Sequence, residues 1–181
     1  MEEISVLRPG ERFSFKGFDW ITLDHTEDGG VLAIMEGCWR DIPFDNKEDY
    51  ANNYAKSMLR KTLREELLPI LGEENLLPHI VDLVADNGDD SYGTVIDRVS
   101  ILSCDEYRKY RKYIPLLDEW SWTCTPWWID PNSGACDSVR SVGTTGTLTS
   151  CYAYYSGGVA PVCVFNSAHL KLRRQTQMVE N

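Results

Sequence analysis

Three histidines (His25, His79, His169) and six cysteines (Cys38, Cys104, Cys124, Cys136, Cys151, Cys163) are the residues of this 181-residue chain best suited to nucleophilic, acid–base or metal chemistry. Hydrolysis or acyl transfer needs a nucleophile within hydrogen-bond reach of a base. His25 stands beside a turn, His79 follows Pro78 and His169 lies near the C-terminus. None sits in a catalytic motif, so all three read as surface residues and no enzyme activity is expected. No cysteine pair has Cys-x-x-Cys spacing. The last four fall within forty residues and could converge as a thiolate zinc site, but free cysteine usually ends as a small buried side chain. With no sign of secretion the six are expected to be reduced, and no cofactor is called for.

Other candidates are weaker still. Asp86-Asn87-Gly88-Asp89-Asp90 hints at calcium, yet it lacks the alternating ligands and closing glutamate of an EF-hand and reads as a solvated acidic loop. Neither Gly-rich phosphate-binding pattern is present. Tyr107 to Tyr113 interleaves aromatics with Arg108, Lys109, Arg111 and Lys112, as a base-stacking surface would. In a chain of net charge −10 it reads as a helix face. Trp120, Trp122, Trp127 and Trp128 offer an aromatic platform for sugar or protein, although large aromatics in strands are usually core. Tyr152, Tyr154 and Tyr155, set among Ser, Gly and Thr, read as an adaptable contact surface.

Charge sorts the possible partners. Residues 120–181 hold three acids and four bases, which leaves −11 on the first 119. Glu73, Glu74, Asp82, Asp86, Asp89, Asp90 and Asp97 fall in a stretch with no lysine or arginine. Direct nucleic-acid binding needs a basic footprint and is disfavoured, whereas a basic protein partner suits this surface. No apolar run approaches the ~18 residues that cross a bilayer, so no membrane role is expected. The N-terminal Met1-Glu2-Glu3-Ile4-Ser5 lacks the basic start and apolar stretch of a signal peptide, which makes the cytoplasm the expected location.

The elements that would position these residues follow from periodicity. Arg12–Lys16, Trp20–Leu23 and Val31–Met35 read as a β-meander around the Glu27-Asp28-Gly29-Gly30 turn. Tyr54, Ala55, Met58, Leu59, Thr62, Leu63 and Leu67 recur at helical spacing up to Pro69 or Gly72. A second helix is predicted over Glu73–Val84 and a strand over Val95–Leu102. Ser103-Cys104-Asp105-Glu106 is a capping box opening a helix that stops at Ile114-Pro115. Strands are expected around Trp120–Cys124, Ser138–Val142, Thr147–Ala153, Val159–Val164 and His169–Arg173. One α+β domain over 1–174 with a frayed tail at 175–181 is the expected organisation.

Several of these segments carry a resemblance. Gly17-Phe18-Asp19-Trp20, Ser57-Met58-Leu59-Arg60, Leu102-Ser103-Cys104-Asp105-Glu106, Trp122-Thr123-Cys124-Thr125-Pro126, Val139-Arg140-Ser141-Val142-Gly143 and Gly158-Val159-Ala160-Pro161-Val162 occur in order. Over residues 10–166 the chain resembles an uncharacterised domain family of gut-dwelling bacteria and their phages. That family is similar to the C-type-lectin-like fold of formylglycine-generating enzymes and phage receptor-binding proteins. The resemblance implies a twisted antiparallel α+β fold used for binding or display. Two family arginines are replaced here, by Cys124 and Ala160, and an arginine site does not survive such changes unless its partner changes too.

The functional expectation is a non-catalytic acidic binding protein of phage or mobile-element origin. It would engage a basic nucleic-acid-handling host protein, an anti-CRISPR inhibitor mimicking DNA against an RNA-guided nuclease being the concrete version. Its expected contact residues are Glu73, Glu74, Asp82, Asp86, Asp89, Asp90, Tyr152, Tyr154 and Tyr155. The alternatives are a lectin-like ligand-binding module and a zinc or copper thiolate protein, in which Cys124 would pair with Cys151 or Cys163.

Overall fold

The computed structural model describes residues 2–47, 49–132 and 136–172. After a short strand β1 (Glu2–Glu3), the alternating segment forms β2 (Arg12–Phe15), and the two apolar runs form β3 (Phe18–His25) and β4 (Gly30–Met35). These three make the antiparallel meander. Val31, Ala33 and Met35 of β4 enter one core while Leu32 and Ile34 enter another. A strand covered on both faces is apolar throughout, as β4 is. β5 (Arg40–Pro43) then leaves for a second sheet.

The helical stripe folds as predicted but carries a defect. α1 (Met58–Thr62), a π turn at Leu63–Leu67 and α2 (Leu68–Leu71) follow one another without a break. Ser57 caps the start by accepting from the Arg60 N–H. Leu59, Leu63, Leu67 and Leu71, four residues apart, are wholly buried. Pro69 has no N–H, and in an α-helix its ring would strike the carbonyl four residues back. The π turn, in which the Leu68 N–H reaches the Leu63 carbonyl, widens the helix just ahead of it. Gly72, at φ +81°, then ends it.

The helix expected over Glu73–Val84 does not form. One 3-10 turn at Glu73–Asn75 gives way to β6 (Leu76–Leu77) and β7 (His79–Asp82), and β7 forms an antiparallel ribbon with β8 (Thr94–Asp97). Pro78 interrupts helix propagation. Beyond it burial alternates, with Ile80 and Asp82 exposed and Val81 and Leu83 buried, a period of two with β-branched residues that suits a strand. β9 (Val99–Ser100) follows, and α3 (Cys104–Tyr110) opens with the expected capping box from Ser103 and Glu106.

The C-terminal strands are β10 (Ser121–Pro126), β11 (Ser138–Val142), β12 (Leu148–Tyr152), β13 (Ser156–Val159), β14 (Val162–Asn166) and β15 (Lys171–Leu172), the last paired with β1. Val159–Val164, read from sequence as one strand, is divided at Ala160-Pro161. Pro161 has no N–H for a ladder, though its carbonyl accepts from the Met35 N–H at 2.8 Å. The chain changes sheet there: β13 pairs with β5 and β10, and β14 with β4.

One sheet has the order β2-β3-β4-β14-β6, with β9 also on β14; the other runs β12-β11-β10-β13-β5. The α1–α2 helix and both sheets share a core that includes Trp20, Phe44, Tyr54, Trp122 and Phe165. α3 covers the opposite face of the first sheet, laying Tyr107 and Tyr110 against Ile21, Ile34, Val162 and Val164. The result is a single α+β domain with mostly antiparallel sheets. Among the described residues no helix is long and apolar enough to cross a membrane. The tail expected at 175–181 lies outside the described residues.

Candidate binding surface

Where β10 ends, backbone hydrogen bonds draw three distant segments together. The Asp86 N–H donates to the Pro126 carbonyl at 2.9 Å and the Trp127 N–H to the Ser138 carbonyl at 3.0 Å. Ser138 in turn lies opposite Tyr152 across the β11–β12 ladder. Phe44, Asp45 and Asn52 bind this end through their backbone N–H groups. The Phe44 and Asp45 N–H groups both donate to the Ala153 carbonyl, at 2.9 and 3.0 Å, and the Asn52 N–H donates to the Cys136 carbonyl at 3.0 Å.

Asn52 is the hub. Its Nδ2 donates to the carbonyls of Trp128 (2.9 Å) and Ser138 (3.2 Å), and its Oδ1 accepts from the Tyr92 hydroxyl at 2.7 Å. The residue is fully buried, so each of these bonds forms in a medium that makes loss of a partner costly. The acidic loop, the tryptophan pair and the tyrosine turn thereby share one end of the molecule. Nothing in the sequence marked Asn52, because a lone asparagine has no periodicity.

This end is aromatic and open. Tyr50, Trp127, Tyr152 and Tyr155 are 41%, 46%, 46% and 51% exposed. Tyr152 and Tyr154 stack at 5.4 Å, Tyr155 meets Tyr154 edge-on at 5.2 Å, and the Lys47 ammonium lies 5.3 Å from the Tyr154 ring centre. Tyr50 packs edge-on against Tyr92 at 6.4 Å. Beside them an open cleft of about 390 Å³ lies between Asp86, Asn87, Trp127 and Trp128.

The acidic candidates differ in their engagements. Asp86 is tied to Arg140 Nε at 3.2 Å and to an Arg108 nitrogen at 3.7 Å. Asp89 accepts from the Ser91 N–H at 2.9 Å, and hydrogen bonding by Ser91 holds its carboxyl below the usual range. Asp90 is exposed, and Asp82, also exposed, accepts from the Val84 N–H at 3.1 Å. Glu73 and Glu74 stand apart, beyond the run Leu76–Leu83. Glu73 pairs with Arg98 at 3.1 Å, and the Glu74 backbone carbonyl faces His169 Nδ1 at 3.0 Å.

His79, read from sequence as a surface residue, is half-buried. Its Nε2 lies 2.7 Å from Ser100 Oγ, and Asp97 faces it across the β7–β8 pair. Serine, histidine and aspartate thus come together although their spacing forms no motif. Ser100 and Asp97 are only 3% and 4% exposed, and both Asp97 oxygens are held by Arg60 at 2.8 Å. A substrate carbonyl has no route to this serine, and the group is a structural network. Burial moves the His79 pKa below its usual value, opposed in part by Asp97 and the Leu77 backbone. His25 and His169 are exposed.

The four late cysteines do not converge. Cys124 and Cys163 are buried in the main core from strands of different sheets, Cys136 sits in a small cluster with Ala85 and Ile129, and Cys151 is half-buried on β12. Burial raises the thiol pKa of Cys104, Cys124, Cys151 and Cys163. Cys38 is pushed up to about 12 by burial and by Glu119. Among the described residues no group of three or more His, Cys, Asp or Glu is placed to hold a metal ion. The basic run on α3 is a helix face: Arg108 pairs with Asp105 and Asp86, Lys109 pairs with Asp24, and Tyr107 and Tyr110 are buried. No family model, curated protein or solved structure matches the chain.

Proposed function

We propose that this is a non-catalytic binding protein whose contact surface is the end carrying Asp82, Asp89, Asp90, Trp127 and the tyrosines, and whose partner is a basic protein that handles nucleic acid. The observation that carries the reading is the gathering of exposed aromatics and carboxylates around Asn52. Tyrosine and tryptophan give large contact area with few rotors to freeze, and neighbouring carboxylates steer a positively charged partner. Asp86 contributes less than its exposure suggests, because Arg108 and Arg140 already answer its charge. An RNA-guided nuclease blocked at its DNA groove is the concrete partner.

The finer fold reading, a C-type-lectin-like domain of the phage-associated family, is part of this proposal. Its support is positional. Four of the six motifs fall at junctions, with Gly17 at φ +82° in the β2–β3 turn, Ser57 and Ser103 as helix caps, and Pro161 where the chain changes sheet, while the other two lie on β10 and β11. The test is direct binding of the immobilised chain to a panel of purified RNA-guided nucleases and other basic nucleic-acid-binding proteins. At least one is expected to bind at about 0.05 M salt and to weaken markedly at about 0.5 M, where charges are screened within a few ångströms. A panel that stays silent at both salts contradicts the proposal.

A further inference from the structure

We propose that the chain forms a twofold dimer in which β12 (Leu148–Tyr152) pairs antiparallel with β12 of a second copy. The proposal goes beyond the nuclease-binding reading and uses backbone groups that reading leaves free. β12 is an outer strand of its sheet. Its phase is fixed at both ends, where the Gly143 N–H donates to the Thr147 carbonyl at 2.8 Å and the Ala153 N–H to the Asp137 carbonyl at 2.7 Å. Bonded and unbonded positions alternate along an antiparallel strand. The backbone groups of Thr149 and Cys151 therefore face β11, while those of Leu148, Ser150 and Tyr152 turn outward. Among the described residues, the Tyr155 N–H on the Tyr152 carbonyl is the only backbone bond to that outer row.

A row of free N–H and C=O groups takes up another strand unless charge, proline, a bulge or sheer shortness prevents it. The other outer strands of the two large sheets carry such guards. β5 has Arg40, Asp41 and Pro43, β2 begins at Arg12, and β6 is two residues long and followed by Pro78. β12 has none of them. It reads Leu-Thr-Ser-Cys-Tyr, pairs with β11 over all five residues without a register shift, and leaves Thr149 and Ser150 exposed.

Charge and register select a second copy as the occupant. From Ser141 to Leu170 there is no Asp, Glu, Lys or Arg, in a chain of net charge −10. A strand from a basic protein finds no carboxylate on β12 to meet, whereas two copies of β12 come together with no like charges opposed. The strand is also self-complementary about Ser150. With Ser150 opposite itself, the outward groups of Leu148 meet those of Tyr152 in the copy, and Thr149 stands opposite Cys151 at an unbonded position. A contact in which each copy offers the same patch closes after two chains. It joins the two sheets into one and places two Tyr152–Tyr155 turns on one assembly.

Sedimentation equilibrium of the full chain is the test. Strands this short make a small contact, so a reversible dimer is expected, with half or more of the chain associated at about 0.5 mM. Raising salt from about 0.05 M to about 0.5 M should strengthen it by screening the charge that each copy carries. Nuclease binding is expected to weaken over the same range, so the two proposals fail separately. Ser150→Lys sets two like charges opposite each other and should weaken the dimer at least about tenfold. Ser150 is exposed, so the urea midpoint of the variant, read at about 1 μM where the copies are apart, should match that of the unaltered chain. Thr149→Cys puts a thiol opposite Cys151 of the copy at a Cα separation of about 4.5 Å, within disulfide range. Oxidation with diamide should then cross-link the dimer, and adding Cys151→Ala should abolish the cross-link. The proposal is overturned if the chain stays monomeric at about 0.5 mM, the outcome expected if the edge takes a strand of another protein. It is equally overturned if Ser150→Lys dimerises as tightly as the unaltered chain, or if Thr149→Cys fails to cross-link or does so equally with Cys151→Ala.

Discussion

Single residues decide how this end of the molecule is held. Asn52→Ala removes partners from two carbonyls and a hydroxyl in a buried place, which should cost about 3 kcal/mol in urea unfolding and alter tryptophan fluorescence. His79 provides a second test. Its pKa in the folded chain is lowered from 6.5, so below that pH the unfolded chain takes up a proton that the folded chain resists. Its contribution to stability is complete above about pH 6.5 and is lost as pH falls through the folded value. The urea midpoint should therefore decline on acidification from pH 6.5, and His79→Gln should flatten that part of the curve. Individual residues were only partly legible in sequence. The Ser103–Glu106 capping box is local and was readable, whereas Asn52 and the His79–Ser100 pair depend on chain segments brought together by folding.

At the level of elements, burial pattern and end signals explain both the agreements and the errors. The meander, the Leu59–Leu71 stripe and the α3 start each show their period within a few residues. The predicted Glu73–Val84 helix fails because burial beyond Pro78 alternates with a period of two, and that segment pairs as the β7–β8 ribbon instead. The division at Ala160-Pro161 was hidden because β13 and β14 are both apolar, and only their pairing partners distinguish them. Close packing between elements is testable at Gly157 on β13. Trp120 lies over this glycine and packs edge-on against Trp122 at 4.7 Å, and an added Cβ would collide with the Trp120 ring. Gly157→Ala should cost about 1–3 kcal/mol in the same unfolding assay, because a filled core accommodates extra atoms by strain.

For the whole molecule, composition pointed to an acidic binding protein but could not say where the contact lies. The stretch from Glu73 to Asp97 looks continuous as a sequence, yet the fold divides it and spends some of its carboxylates internally on Arg60, Arg98, Arg108 and Arg140. What remains outward-facing joins aromatics contributed by segments as distant as Tyr50 and Tyr155. The most direct test compares two variants against a nuclease that binds the unaltered chain. One carries Asp89→Asn, Asp90→Asn, Tyr152→Ala and Tyr155→Ala on the Asn52 end, and the other carries Glu73→Gln and Glu74→Gln. The first should weaken binding at least about tenfold and the second leave it nearly unchanged. Loss of binding in the second variant with retention in the first would contradict the account.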